Sequence, residues 1–130
     1  AFALGASGVQ IGTAYLRCPE SKVIAPARAA LAQASDDSTV ITNVMTGRPA
    51  RGVANRMMRE AGPVSVDAPD FPHAATSLGP LKAAAEKLGR VDFTNLWAGQ
   101  GLRMGREMPA AELTRALAGA ALARLRALTG

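Results

Sequence analysis

The chain is poor in the residues that carry most protein chemistry. In 130 residues it has one cysteine, Cys18, and one histidine, His73. A lone cysteine excludes an intrachain disulfide and a cysteine-rich metal site. Its only imidazole partner would come from far along the chain, so Cys18 reads as a small buried residue and not a nucleophile. Aromatic residues make up 4%, too few to interleave with basic residues for stacking on bases. No stretch approaches the roughly 20 unbroken apolar residues of a membrane span, and the start lacks the basic region that opens a signal peptide. A cytoplasmic location is expected. There is no internal repeat and no low-complexity segment.

What is present suits an ordinary globular core. The apolar fraction is 48%, which argues against disorder, and abundant alanine with few aromatics favours close helix packing over a β-sandwich. The net charge is +5, but the arginines are scattered, as on a solvated surface, so no nucleic-acid partner is expected. A basic helical binding module without catalysis stands as the contrary reading, and it predicts salt-sensitive binding.

The stretch that organises the chain is Leu4-Gly5-Ala6-Ser7-Gly8-Val9-Gln10-Ile11-Gly12-Thr13. Val9, Ile11 and the run to Leu16 predict a short buried strand. Gln10, Gly12 and Thr13 place an amide, a bare backbone and a hydroxyl where parallel strands present ligand-binding groups. A glycine there lets a phosphate reach backbone N–H groups, and a threonine adds a donor. The same residues would also serve merely to turn the chain out of a core strand, and spacing leaves both readings open.

Further along, a helix is expected from Ser21 or Pro26 to Ala34, then a strand or extended arm over Thr39–Val44. A helix from Pro49 to Ala61 follows, capped by Thr46 or Gly47. Arg48, Arg51, Arg56 and Arg59 read as an exposed charged face or, less simply, an anion site. Gly62–Ser77 holds three prolines and reads as loop, with His73 as a surface residue in it. Leu81–Leu88 has helical spacing and ends at Gly89. Trp97 stands beside Ala98-Gly99-Gln100-Gly101, a small-residue loop able to press its backbone against a ligand; a tryptophan that only plugs the core is the other reading. The last helix runs from near Pro109, with Glu112 in its first turn, to about Leu128. Leu113, Leu117, Ala121 and Leu125 form its apolar stripe, Arg115, Arg124 and Arg126 lie on other faces, and Gly130 closes the chain.

The blocks GASGVQIGTAYLRCPES, TVITNVMTGRPARGVANRMMRE and LWAGQ resemble, in this order, the nitronate monooxygenases, once called 2-nitropropane dioxygenases. The resemblance implies an α/β fold, a (β/α)8 TIM barrel that binds FMN. It assigns the FMN phosphate to Gln10, Ile11, Gly12 and Thr13 and sets Trp97, Gly99 and Gln100 near the flavin. It further implies oxidation of alkyl nitronates such as propionate 3-nitronate by O2 to a carbonyl product and nitrite.

A whole barrel needs about 200 residues or more, and the sequence opens without methionine. The expectation is therefore the C-terminal part of a longer protein. Residues 1–18 would be the last barrel strand with the phosphate loop, 19–108 a helical and extended region returning to the flavin, and 109–130 the terminal helix. The family's catalytic histidine comes from the earlier half of the barrel. His73 does not match it, and no catalytic residue is assigned here. An open part-barrel leaves strand edges bare, so the chain is expected to need the missing portion or a second copy. A related FMN-dependent enoyl reductase, using a reduced nicotinamide, is the nearest alternative enzyme.

Overall fold

The run Thr39–Thr42 is β-branched at every position, which suits a pleated strand better than a helix. It forms β1 and pairs antiparallel with β2, Ala50–Val53, in the register Thr39↔Val53 to Thr42↔Ala50. Thr39 and Thr42 are buried and Ile41 is exposed. The chain reverses between the strands with Gly47 at φ 88°. A Cβ on Gly47 would lie 2.6 Å from the Asp70 carbonyl carbon, and nearer still to Phe71 N and Pro69 O. Glycine is needed here for both conformation and space. The computed structural model describes residues 1–129. Its remaining elements are α1 (Ala25–Gln33), α2 (Arg56–Ala61), α3 (His73–Lys87), α4 (Ala110–Thr129) and four short 3-10 turns. The chain divides into two compact units, one made of Ala1–Lys22 with Met104 onward, the other of Val23–Arg103.

In the Val23–Arg103 unit the expected Pro49–Ala61 helix is corrected. Its first half is β2, because Gly52 and Val53 are weak helix formers and the ladder to β1 satisfies their backbone. Only Arg56–Ala61 is helical, and its cap is Asn55, neither Thr46 nor Gly47. The Asn55 Oδ1 accepts the Met58 N–H at 3.1 Å. The expected loop to Ser77 is also too long. α3 begins at His73 and carries Pro80 inside it. Proline costs a helix one N–H bond, but Ala74, Leu78 and Ala85 share one face and are all buried. Met45, Met58, Val44 and Leu78 form the centre, with Val40, Met57, Ala68, Phe93 and Trp97 packed against it.

In the other unit α4 matches the expected stripe. Leu113 is buried, with Leu117, Ala121 and Leu125 half-buried below it. Its first free N–H is met from elsewhere in the sequence: both Glu20 carboxylate oxygens accept from Ala110 N, at 3.0 and 3.1 Å. The Tyr15 hydroxyl and the Thr114 hydroxyl lie 2.8 Å apart, and Arg17 donates to the Gly105 carbonyl at 2.7 Å. The expected strand over Val9–Leu16 is not formed. Thr13–Arg17 is a 3-10 turn, and residues 8–12 join no ladder. A strand exists only through a hydrogen-bonded neighbour, and the one sheet among the described residues is β1–β2. Val9 and Ile11, expected inside, are 52% and 41% exposed. Gly130, expected to close the chain, lies outside the described residues.

Candidate functional site

In the first unit, Gln10, Ile11 and Gly12 are exposed and Thr13 is half-buried. Gly12 has φ −105°, a value any residue adopts, and its carbonyl accepts the Tyr15 N–H at 3.0 Å as the 3-10 turn begins. A Cβ built there would meet nothing within 4 Å. Neither backbone conformation nor packing within the described residues accounts for a glycine at this position. A bare backbone facing open space is what an anion needs to reach N–H groups closely. Beside it an apolar groove of about 440 Å³ is lined by Phe2, Val9, Ile11, Leu117, Ala118 and Ala121 among others.

In the second unit, Leu96–Ala98 runs along the free edge of β2. Val53 N donates to Leu96 O at 2.9 Å and Ala98 N to Arg51 O at 3.2 Å, with Gly52 opposite Trp97 in an antiparallel bridge. Trp97 is half-buried against the methionine-rich core, so it does plug the interior. Gly99 and Gln100, the next residues out, are exposed. The Gln10–Thr13 and Trp97–Gln100 groups belong to different units.

The remaining candidates resolve individually. Arg51 donates to Thr39 O and Thr39 Oγ1 at 3.2 and 3.1 Å. Arg59 donates to Ala54 O at 3.3 Å, and Arg48 stands 4.7 Å over the Phe71 ring. Arg56 binds Glu60 at 2.7 Å, and that bond raises the guanidinium further above its ordinary value. Each arginine has its own local partner, and no shared anion site emerges. Arg90 Nε, 2.6 Å from Asp92, holds that carboxyl below the usual range. A cavity of about 610 Å³ between α2 and α3, lined by Met57, Leu81, Ala84, Leu88 and Phe93, also meets Arg56 and Arg90, whose Nε groups already donate to carboxylates. Cys18 is 1% exposed, as expected. His73 is exposed at the start of α3, where its backbone N–H donates to Asp70 O at 2.7 Å. Among the described residues no cluster of His, Cys, Asp and Glu could hold a metal, and no helix is long and apolar enough to cross a membrane.

The sequence reading passed over two residues that shape this region, Gly52 and Asn55. The glycine inside a β-like run was the available sign of a close backbone approach. The asparagine just ahead of Arg56-Met57-Met58 was the sign of a cap.

Comparison with known proteins adds a relationship to this geometry. The chain is 46% identical over 118 residues to a nitronate monooxygenase of Pseudomonas aeruginosa, covering 90% of this chain and 34% of that protein. It is 37% identical over 107 residues to a probable nitronate monooxygenase of Staphylococcus saprophyticus, covering 82% of this chain and 30% of that one. The crystal structure of nitroalkane oxidase from Streptomyces ansochromogenes superposes with a TM-score of 0.86 at 42% identity, over 99% of this chain and 36% of the other. The chain thus spans about a third of the length of these enzymes. A family model described as nitronate monooxygenase matches residues 1–119, so the run with the unexplained glycine and the tryptophan loop both fall within the matched span, and the chain belongs to the nitronate monooxygenase family.

Proposed function

We propose that this chain supplies the FMN-phosphate grip and part of the flavin-site wall of an enzyme that oxidises alkyl nitronates with O2 to a carbonyl product and nitrite. The observation that carries the reading is Gly12, a glycine with ordinary φ and open space where its side chain would be, set in a Gln-Ile-Gly-Thr run. Gln10, Ile11, Gly12 and Thr13 would hold the phosphate through backbone N–H groups and the Thr13 hydroxyl, while Trp97, Gly99 and Gln100 would border the flavin. Bound flavin supplies the redox chemistry; the protein binds and orients it and excludes water. The group that takes the substrate proton belongs to the part of the family fold outside these residues.

The barrel is part of the same proposal. Val9 and Ile11 are exposed on a segment with no ladder partner, and apolar alternation of this kind suits a strand awaiting neighbours. In the complete enzyme residues 1–18 form the last strand with its phosphate loop, 19–108 lead out and back to the flavin, and 109–130 pack as the terminal helix. The enzyme is cytoplasmic.

The test is a visible absorption spectrum and an intact mass on the native purified protein, followed by turnover assays. Bound FMN with nitrite release from propionate 3-nitronate is the expected result. Flavin with NAD(P)H-dependent reduction of an enoyl thioester, and no nitrite, would move the assignment to the related reductases. A colourless protein that takes up no FMN would remove the reading altogether.

A further inference from the structure

We propose that Gly52 is a positioning residue whose missing side chain seats Trp97 and thereby sets where Gly99 and Gln100 stand; the seat rests on geometry alone, and its service to the flavin rests on the function proposed above. β2 has two edges. One is taken by β1, and the other holds Leu96–Ala98 through the two hydrogen bonds that flank Gly52, Val53 N to Leu96 O and Ala98 N to Arg51 O. A Cβ on Gly52 would come 2.9 Å from Leu96 O, 3.0 Å from Trp97 Cε3 and 3.3 Å from Leu96 C. Two of these atoms are backbone, so a side chain could be accommodated only by moving the whole 96–98 segment.

Conformation gives no separate reason for glycine at 52, which is not among the glycines in the left-handed region. Close approach is the reason. Trp97 also packs against the core cluster of Val44, Met45, Met58 and Leu78. Trp97 thus touches both Gly52 and the methionine-containing cluster. Leu96 and Ala98 on either side of it are buried. Gly99 and Gln100 emerge directly from this clamp, and their position is fixed by it.

The experiment compares Gly52→Ala with Gly119→Ala, a control whose Cβ would meet nothing within 4 Å, in the native protein. Trp97 emission is isolated by difference against Trp97→Phe. Gly52→Ala is expected to shift that emission to the red and to speed exchange of the Val53 and Ala98 amides by about tenfold or more, leaving the β1–β2 amides protected. It should weaken retention of FMN and riboflavin alike, by about tenfold, because the phosphate grip is untouched. Thr13→Ala should weaken FMN alone.

Unchanged emission and exchange in Gly52→Ala would overturn the seat. Changed emission and exchange with unaltered flavin retention would overturn the positioning role. A native protein that holds no flavin would sink the proposed function and that role together, while emission and exchange still decide the seat. If Gly52→Ala does not accumulate folded, the wild type decides: slow, joint exchange of Val53 and Ala98 supports the clamp, and rapid exchange of Ala98 overturns it.

Discussion

Asn55 Nδ2 donates to the Thr94 carbonyl at 3.0 Å across 39 positions of sequence. The same side chain, 5% exposed, caps α2 through its Oδ1. One buried amide thus ties a helix start to the turn that precedes the tryptophan loop. Asn55→Ala removes a cap and leaves the Thr94 carbonyl without this donor, and is expected to cost about 2–3 kcal/mol in urea unfolding. Asn55→Asp keeps an acceptor for Met58 N but has no amide to donate, and separates the two bonds. An alanine variant within about 0.5 kcal/mol of wild type would show that water replaces both.

Gly47 and Gly89 both have positive φ, at 88° and 70°, yet their surroundings differ. Gly89 faces open space, while Gly47 abuts the Pro69–Phe71 backbone. Gly89→Ala should cost about 1 kcal/mol from conformation alone. Gly47→Ala should cost clearly more, since the neighbouring turn must also move. Equal losses in chemical denaturation would mean that the turn yields freely.

Two carboxyls tie stability to acid. The Ser35 hydroxyl donates to Asp37 and holds its carboxyl below the ordinary value of 3.8; Arg90 does the same for Asp92. An acid with a depressed folded value binds protons less readily than in the unfolded chain. Its contribution is present above the unfolded value and is lost as pH falls through the folded one. Stability measured from about pH 5 downward should fall less steeply in Asp92→Asn than in wild type. Parallel curves would deny the Arg90 pairing any thermodynamic weight.

Gly12→Ala should leave unfolding stability within about 0.5 kcal/mol of wild type, because the added methyl meets open space and φ is ordinary. FMN retention by the native protein should nevertheless fall about tenfold, or ~1.4 kcal/mol. Loss of stability with FMN binding intact is the outcome that would return Gly12 to a purely structural role.

The parts legible in the sequence are those whose pattern is local. The four-residue stripe of α4 and the β-branched run of β1 declare themselves without a partner. β2 does not: Arg51-Gly52-Val53 becomes a strand only because β1 lies beside it, and a helix pattern further on masked it. The start of α3 was hidden by prolines whose cost is offset by burial of Ala74, Leu78 and Ala85. The Val9–Leu16 strand failed for the opposite reason, since no strand among the described residues pairs with it. The Gln10–Thr13 run stands out in the sequence because its residues are consecutive, and its phosphate role rests on the proposal above. Gly52 was not, because its purpose is visible only once Trp97 is brought against it.

The bonds from Tyr15 to Thr114, Arg17 to Gly105 and Glu20 to Ala110 have a consequence for the order in which the protein is made. They span 99, 88 and 90 positions of sequence. The 23–103 stretch between them carries its own core of Val44, Met45, Met58 and Leu78, all of it synthesised before α4. The opening segment must wait, without Glu20's or Tyr15's partners, until α4 is synthesised. Closing a loop of that length costs about 4 kcal/mol of chain entropy. These three bonds therefore form late in synthesis, those of Tyr15 and Glu20 only after α4 has been made.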